Sequence, residues 1–149
     1  MRVYLVVIDE TDEARSALRF AARRAGAIGG AVHILALVPV HNISAFGGVQ
    51  ATIEQEARDR AEILAHGAAG SLLAEMGVMP TITVMMGNAT KVIRDFLDEH
   101  REVAALVLGA SNGNNPGPLV THFSASSGTL PCPLYIIPEG FDDDGSDIE

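Results

Sequence analysis

The sequence predicts an α/β domain, an open five-stranded parallel sheet with helices on both faces. Three observations predict it. Short apolar runs of strand length alternate with amphipathic runs of helical length. The short runs are apolar almost throughout, as in strands covered on both sides. Helices bridge successive strands, which implies parallel pairing through right-handed crossovers. At 149 residues and 48% hydrophobic, the chain has the size and apolar content of one such domain.

The elements follow in order. Residues 2–9 read RVYLVVID, a strand buried on both faces. Thr11 and Asp12 are suitable caps for the next segment. There Ala14, Ala17, Leu18, Ala21, Ala22 and Ala25 recur at three and four, with Arg15, Arg19 and Arg23 on another face. Gly26 to Gly30 end this helix, and AVHILALV over 31–38 is the second strand, stopped by Pro39. Residues 41–49 form a loop of small residues. A longer helix then carries Ile53, Ala57, Ala61, Leu64, Ala65, Ala68, Leu72 and Met76, and Gly77 stops it. In that helix Glu54, Glu56, Arg58 and Asp59 are expected to face water. TITVMM over 81–86 is the third strand, and Gly87-Asn88 the turn after it. Ala89, Val92, Ile93, Phe96 and Leu97 mark the third helix, and VAALVLGA over 103–110 the fourth strand. The stretch SNGNNPGPLVTHFSASSGTLP has room for one short helical turn around 118–126. Residues 132–137 are the fifth strand, closed by Pro138. The domain is expected to occupy 1–139, and the acidic residues 140–149 to be a disordered tail.

Composition excludes several classes of function. A formal net charge of -9 argues against nucleic-acid binding by phosphate neutralisation. No run approaches the roughly 20 apolar residues of a membrane span, and the N-terminal run is too short for a signal peptide. One cysteine, Cys132, gives no internal disulfide and suits a reducing compartment, so a cytoplasmic location is expected. Walker A and Rossmann glycine motifs are absent from the sequence. No H-E-x-x-H or G-x-S-x-G motif occurs, so neither a metal site nor a hydrolase triad through His122 is expected, and no catalytic residue is assigned. His33, His41, His66 and His100 are scattered, with His66 and His100 expected on helix surfaces. Cys132, between two prolines, reads as a buried structural thiol. Met76, Met79, Met85 and Met86 read as packing.

In open parallel sheets ligands bind at the carboxyl ends of strands, where the strand order reverses. The loops after strands one and four, residues 9–12 and 109–121, are therefore the candidates. Asp9 either contacts a ligand there or caps the following helix. The SNGNNPGP loop either cradles phosphate or is an ordinary turn-rich loop. No Lys or Arg occurs from 102 to 149, so a phosphate held there would rely on backbone N–H groups, hydroxyls and helix ends.

These loops carry a family resemblance. LVVIDETDEARSALRFAARRA resembles the first strand and helix of universal stress proteins. Met86-Gly87-Asn88-Ala89 with Ile93 resembles the family's turn after strand three, and ALVLGAS…PCPLYIIP its last two strands. The resemblance spans about residues 2–138. It implies the adenine nucleotide alpha hydrolase-like fold, strand order 3-2-1-4-5, and homodimers often joined through strand five. It also implies a stress-response role, with ATP or another adenine nucleotide as ligand in a subset of members. In those members Asp9 would contact the nucleoside, backbone near Val38 would line the adenine pocket, and the loop after strand four would hold phosphate. That loop reads Gly, two residues, Gly, nine residues, Gly, then Ser or Thr. Here Gly109 matches the first position, and Thr121 the hydroxyl. Asn112 stands where the second Gly belongs, with Gly113 one place late, and Val120 replaces the third Gly. The loop is about two residues short of that pattern, without its usual basic residues.

Two functions of different class follow. One is a binding module holding an adenine nucleotide or related small anion through Asp9, Val38, Gly109, Ser111, Asn112, Gly113 and Thr121. The other is a nucleotide-free dimeric interaction protein in which the shortened loop only packs. Slow nucleotide hydrolysis is a weaker third reading, lacking a clear base.

Overall fold

The computed structural model describes residues 2–8, 13–38 and 48–141, with only the backbone described at Glu13 and at residues 48–51. Its elements are β1 (Val3–Ile8), α1 (Glu13–Ile28), β2 (Ala31–Val38), α2 (Gly48–Met76), β3 (Thr81–Met86), α3 (Ala89–Glu99), β4 (Val103–Ala110), α4 (Pro118–Ala125) and β5 (Leu134–Pro138). A 3-10 turn, Ser127–Thr129, follows α4. The sheet runs β3-β2-β1-β4-β5, with all pairings parallel. This is the architecture and strand order expected from the sequence.

Alternation along β1 shows why its run is apolar throughout. Tyr4, Val6 and Ile8 pack with α1 and α2 on one face, and Leu5 and Val7 with α3 and α4 on the other. The alanine stripe of α1 (Ala14, Ala17, Ala21, Ala25) is buried, and such small side chains let the helix lie close to the strands. Asn88 caps α3: its Oδ1 accepts the Lys91 N–H at 3.1 Å and the Thr90 hydroxyl at 2.8 Å. Lys91 and Asp95 pair at 2.8 Å one turn apart on the exposed face of that helix.

Some boundaries and placements differ from expectation. The fifth strand begins at Leu134 rather than Cys132. Pro131 and Pro133 have no N–H, and Pro133 contributes only its carbonyl, to the Leu106 N–H at 2.9 Å. At the other end Pro138 stays in the strand, paired with Ala110, because an edge strand tolerates a missing donor. The second long helix starts at Gly48, inside the stretch expected to be loop. On it Glu56 and Asp59 are exposed, whereas Glu54 and Arg58 are half-buried. Arg23 is not on a fully solvated face either, for its Nε is buried and has no hydrogen-bond partner among the described residues. Met79 is 65% exposed instead of packed, because the chain turning from Gly77 into β3 buries Pro80 in its place. Met76 and Met86 do pack against the α1–α2 core, and Met85 against the other.

Candidate functional site

The site is built at the carboxyl ends of β1 and β4, the neighbours at which the strand order reverses. Gly109 and Ala110 close β4, paired with Ile137 and Pro138. The loop beyond folds back on itself: the Ser111 N–H donates to Pro116 O at 3.1 Å, and the Ser111 hydroxyl to Asn115 O at 3.4 Å. Two of its glycines have the backbone that favours glycine, Gly113 at φ 99° and Gly117 at φ 113°. Asn115 Oδ1 accepts the Gly117 N–H at 3.1 Å. Gly117 then leads into α4 without a side-chain cap, and Pro118 takes the first turn. The opening amides of α4 therefore have no side-chain acceptor, and this end of the helix carries partial positive charge.

The residues singled out in the sequence divide into groups. Gly109, Ser111, Asn112 and Gly113 form one continuous strand end and loop. Thr121 sits one turn into α4, exposed, its N–H donating to Gly117 O at 3.0 Å. Val38 ends β2, on the far side of β1 from β4, and is buried. Its carbonyl accepts the Gly87 N–H at 3.3 Å, so the turn after β3 closes against it. Asp9 follows Ile8, the last residue of β1, and lies outside the described residues, as do Thr11 and Asp12, expected as caps, and residues 142–149 of the expected tail. The hydroxyls of Ser124 and Ser126 donate to the carbonyls of Thr121 and His122 at 3.4 and 3.0 Å, as helix-end residues do.

Two features escaped the sequence reading. The first is Glu139, just past β5. Its Oε1 accepts the Asn112 N–H at 3.3 Å, placing a carboxylate on the candidate loop. No local pattern pairs residues so far apart in sequence. The second is at the opposite end of the sheet. His33 Nε2 and Thr83 Oγ1 share a hydrogen bond at 2.7 Å, and the His33 and His100 rings lie 6.4 Å apart. His100 is not free on a helix surface. It ends α3, stacks on Phe96 at 4.0 Å and bonds Glu102 through Nδ1 at 3.0 Å. Among the described residues, no three His, Cys, Asp or Glu side chains are grouped as a metal would need.

Burial pushes the His33 imidazole below its usual range, helped by the nearby His100 and opposed by Glu102. The unfolded chain therefore binds this proton more readily. The contribution is whole above the unfolded value of 6.5 and is lost as pH falls below it. Urea midpoints are expected to drop from about pH 7.5 to about pH 5.5, across the histidine range. His33→Gln should flatten that drop, and an unchanged slope in the variant would contradict the assignment. Burial likewise pushes the Cys132 thiol up, opposite to the shift of a reactive thiolate.

The model of the universal stress protein family matches residues 1–138. The chain belongs to the universal stress protein family. No curated protein matches. Among solved structures, the chain is similar to universal stress protein UspA from Lactobacillus plantarum at 19% identity and TM-score 0.77, covering 91% of this chain and 97% of that one. It is also similar to the Archaeoglobus fulgidus universal stress protein in complex with dAMP, at 20% identity and TM-score 0.56, covering 92% and 97%. A universal stress protein in complex with cAMP matches at 13% identity and TM-score 0.58, covering 93% and 98%. At these identities the structural likeness speaks for the family's fold. Among the described residues, no helix is long and apolar enough to cross a membrane.

Proposed function

We propose that this universal stress protein is a cytoplasmic, dimeric binding module of the stress response that holds an adenine nucleotide where β1 and β4 end. One observation carries the reading: the loop leaving β4 runs into an uncapped helix start beside the reversal of strand order, where an anion is favoured. The dAMP and cAMP complexes of two structurally similar family members support an adenine ligand. In this reading Asp9 fixes the nucleoside, and backbone near Val38 lines the base. Gly109 to Gly113 and the Thr121 hydroxyl face the phosphate side. The protein binds rather than turns over its ligand. A ligand that prefers one arrangement of the loop shifts the population toward it and so alters a partner surface.

A specific observation favours a second reading. Three amides of the loop, those of Ser111, Asn112 and Gly117, already donate within the chain. On the edge strand β5, Ile136 is 39% exposed, a surface suited to pairing with a second copy. Gly140 and Phe141, expected to begin the tail, instead contact α1, through Ser16 and Phe20.

Calorimetry with ATP and AMP separates the readings. Micromolar binding, weakened at least about tenfold by Asp9→Ala (roughly 1.4 kcal/mol), is the expected result. No binding of either nucleotide up to about 1 mM, together with a dimer by light scattering, would replace it with the nucleotide-free interaction protein.

A further inference from the structure

The carboxylate of Glu139 is held against the candidate loop by its own backbone. The Glu139 N–H donates to Ala110 O at 2.8 Å, carrying the β4–β5 ladder one step past Pro138. The next residue, Gly140, donates its N–H to Ser16 Oγ at 3.0 Å, and Ser16 is a buried polar residue of α1. Phe141 closes the turn, its N–H on Pro138 O at 3.0 Å and its ring 6.5 Å from Phe20. With the main chain fixed at these points, the side chain reaches the Asn112 N–H at 3.3 Å. Among the described residues, Glu139 is in none of the ion pairs. A carboxylate accepting a loop amide does what a phosphate oxygen would do there, and it adds a negative charge where a polyphosphate would extend.

We infer that Glu139 is a charge-selecting residue of this crevice: a built-in anion on the Asn112 amide that turns away polyphosphate and leaves the site to an adenine nucleoside or nucleoside monophosphate. The inference rests on the nucleotide reading above and sharpens its ligand class. The loop's other bonds act in the same direction. The Ser111 amide is closed by Pro116 O and the Gly117 amide by Asn115 Oδ1, so fewer donors remain for a chain of phosphates. A single phosphate needs fewer of them, and a nucleoside none.

The test compares adenosine, AMP and ATP by calorimetry on the intact protein and on Glu139→Gln, which keeps the shape of the side chain and removes its charge. The intact protein is expected to bind AMP about tenfold more tightly than ATP, a like-charge penalty of ordinary size for an exposed site. In Glu139→Gln the ATP affinity should rise about tenfold, and adenosine affinity should change less than about twofold. The ATP gain should shrink in about 1 M salt, as an exposed charge effect must. Adenosine binding by both proteins with an unchanged ATP-to-AMP ratio would overturn the role of Glu139 and leave the nucleotide site standing. Failure of all three ligands to bind either protein would overturn the nucleotide reading and this inference with it.

Discussion

Phe123→Ala is expected to destabilise the domain by about 3–5 kcal/mol. The ring is fully buried beneath the sheet, in the cluster that contains Leu106 and Leu108 of β4 and Ile93 of α3. The helix that carries it has eight residues and buries two side chains, Val120 and Phe123. Arg94 of α3 covers the ring, its guanidinium 5.8 Å from the centroid and bonded to Thr129 Oγ1 at 2.9 Å. So short a helix draws its stability from docking, because its own nucleation is unfavourable. Truncation removes both the transfer energy of the ring and the contacts around it, and a domain of this size has only about 5–15 kcal/mol in total. The midpoint in urea should fall steeply with little change in slope. The loop from 111 to 117 hangs between β4 and α4, so on the nucleotide reading proposed above adenine-nucleotide affinity should fall with it. A stability change under about 1 kcal/mol would show that α4 does not rest on this ring.

Gly30→Ala is expected to cost about 2–3 kcal/mol, at the upper end of the range for overpacking. A Cβ at this position would stand 2.5 Å from the Arg2 carbonyl oxygen, a backbone atom that cannot swing aside. That oxygen already accepts the Ala31 N–H at 2.9 Å where β1 and β2 begin to pair. The Gly30 N–H closes α1 on Ala25 O at 2.7 Å, so the residue is held from that side as well. Relief would require moving the start of β1 away from β2, against the register Val3↔Ala31. The neighbouring Gly29 differs: a Cβ there meets nothing within 4 Å, and its φ of 69° alone penalises substitution. Thermal unfolding of both alanine variants separates the two causes. Gly30→Ala should lose more, and equal losses would mean that the close approach at Arg2 relaxes freely.

The middle of this fold was legible because each element satisfies its own rule locally. Apolar runs of six to eight residues such as VYLVVI and AVHILALV cannot be solvated on either face, and the helices between them are long enough only for crossovers. The turn at Gly87-Asn88 was equally plain, since a glycine beside an asparagine there stops a strand, whereas the capping of α3 by Asn88 came from the structure. Position within the loop after β4 was readable as well: Gly109, Ser111, Asn112 and Gly113 do lie together at the end of a central strand. Less legible were the ends of β5, where prolines act differently on the two sides according to which backbone groups face the neighbour. The exposure of Met79 was hidden too, because hydrophobicity alone does not say which residue of a connection turns inward.

By itself, then, the sequence determined the strand order of apolar and amphipathic segments, the family, and the crevice where a ligand would be sought. Each of these depends on residues close together in the chain or on a familiar run of motifs. Only the tertiary structure decided which groups meet there. Glu139 reaches Asn112 across 27 positions, and His33 reaches Thr83 across 50. Neither pair leaves a periodicity, because a hydrogen bond between two strand ends depends on how parallel strands are laid side by side. The same packing engages three loop amides, those of Ser111, Asn112 and Gly117, within the chain, which the composition of the loop alone does not reveal.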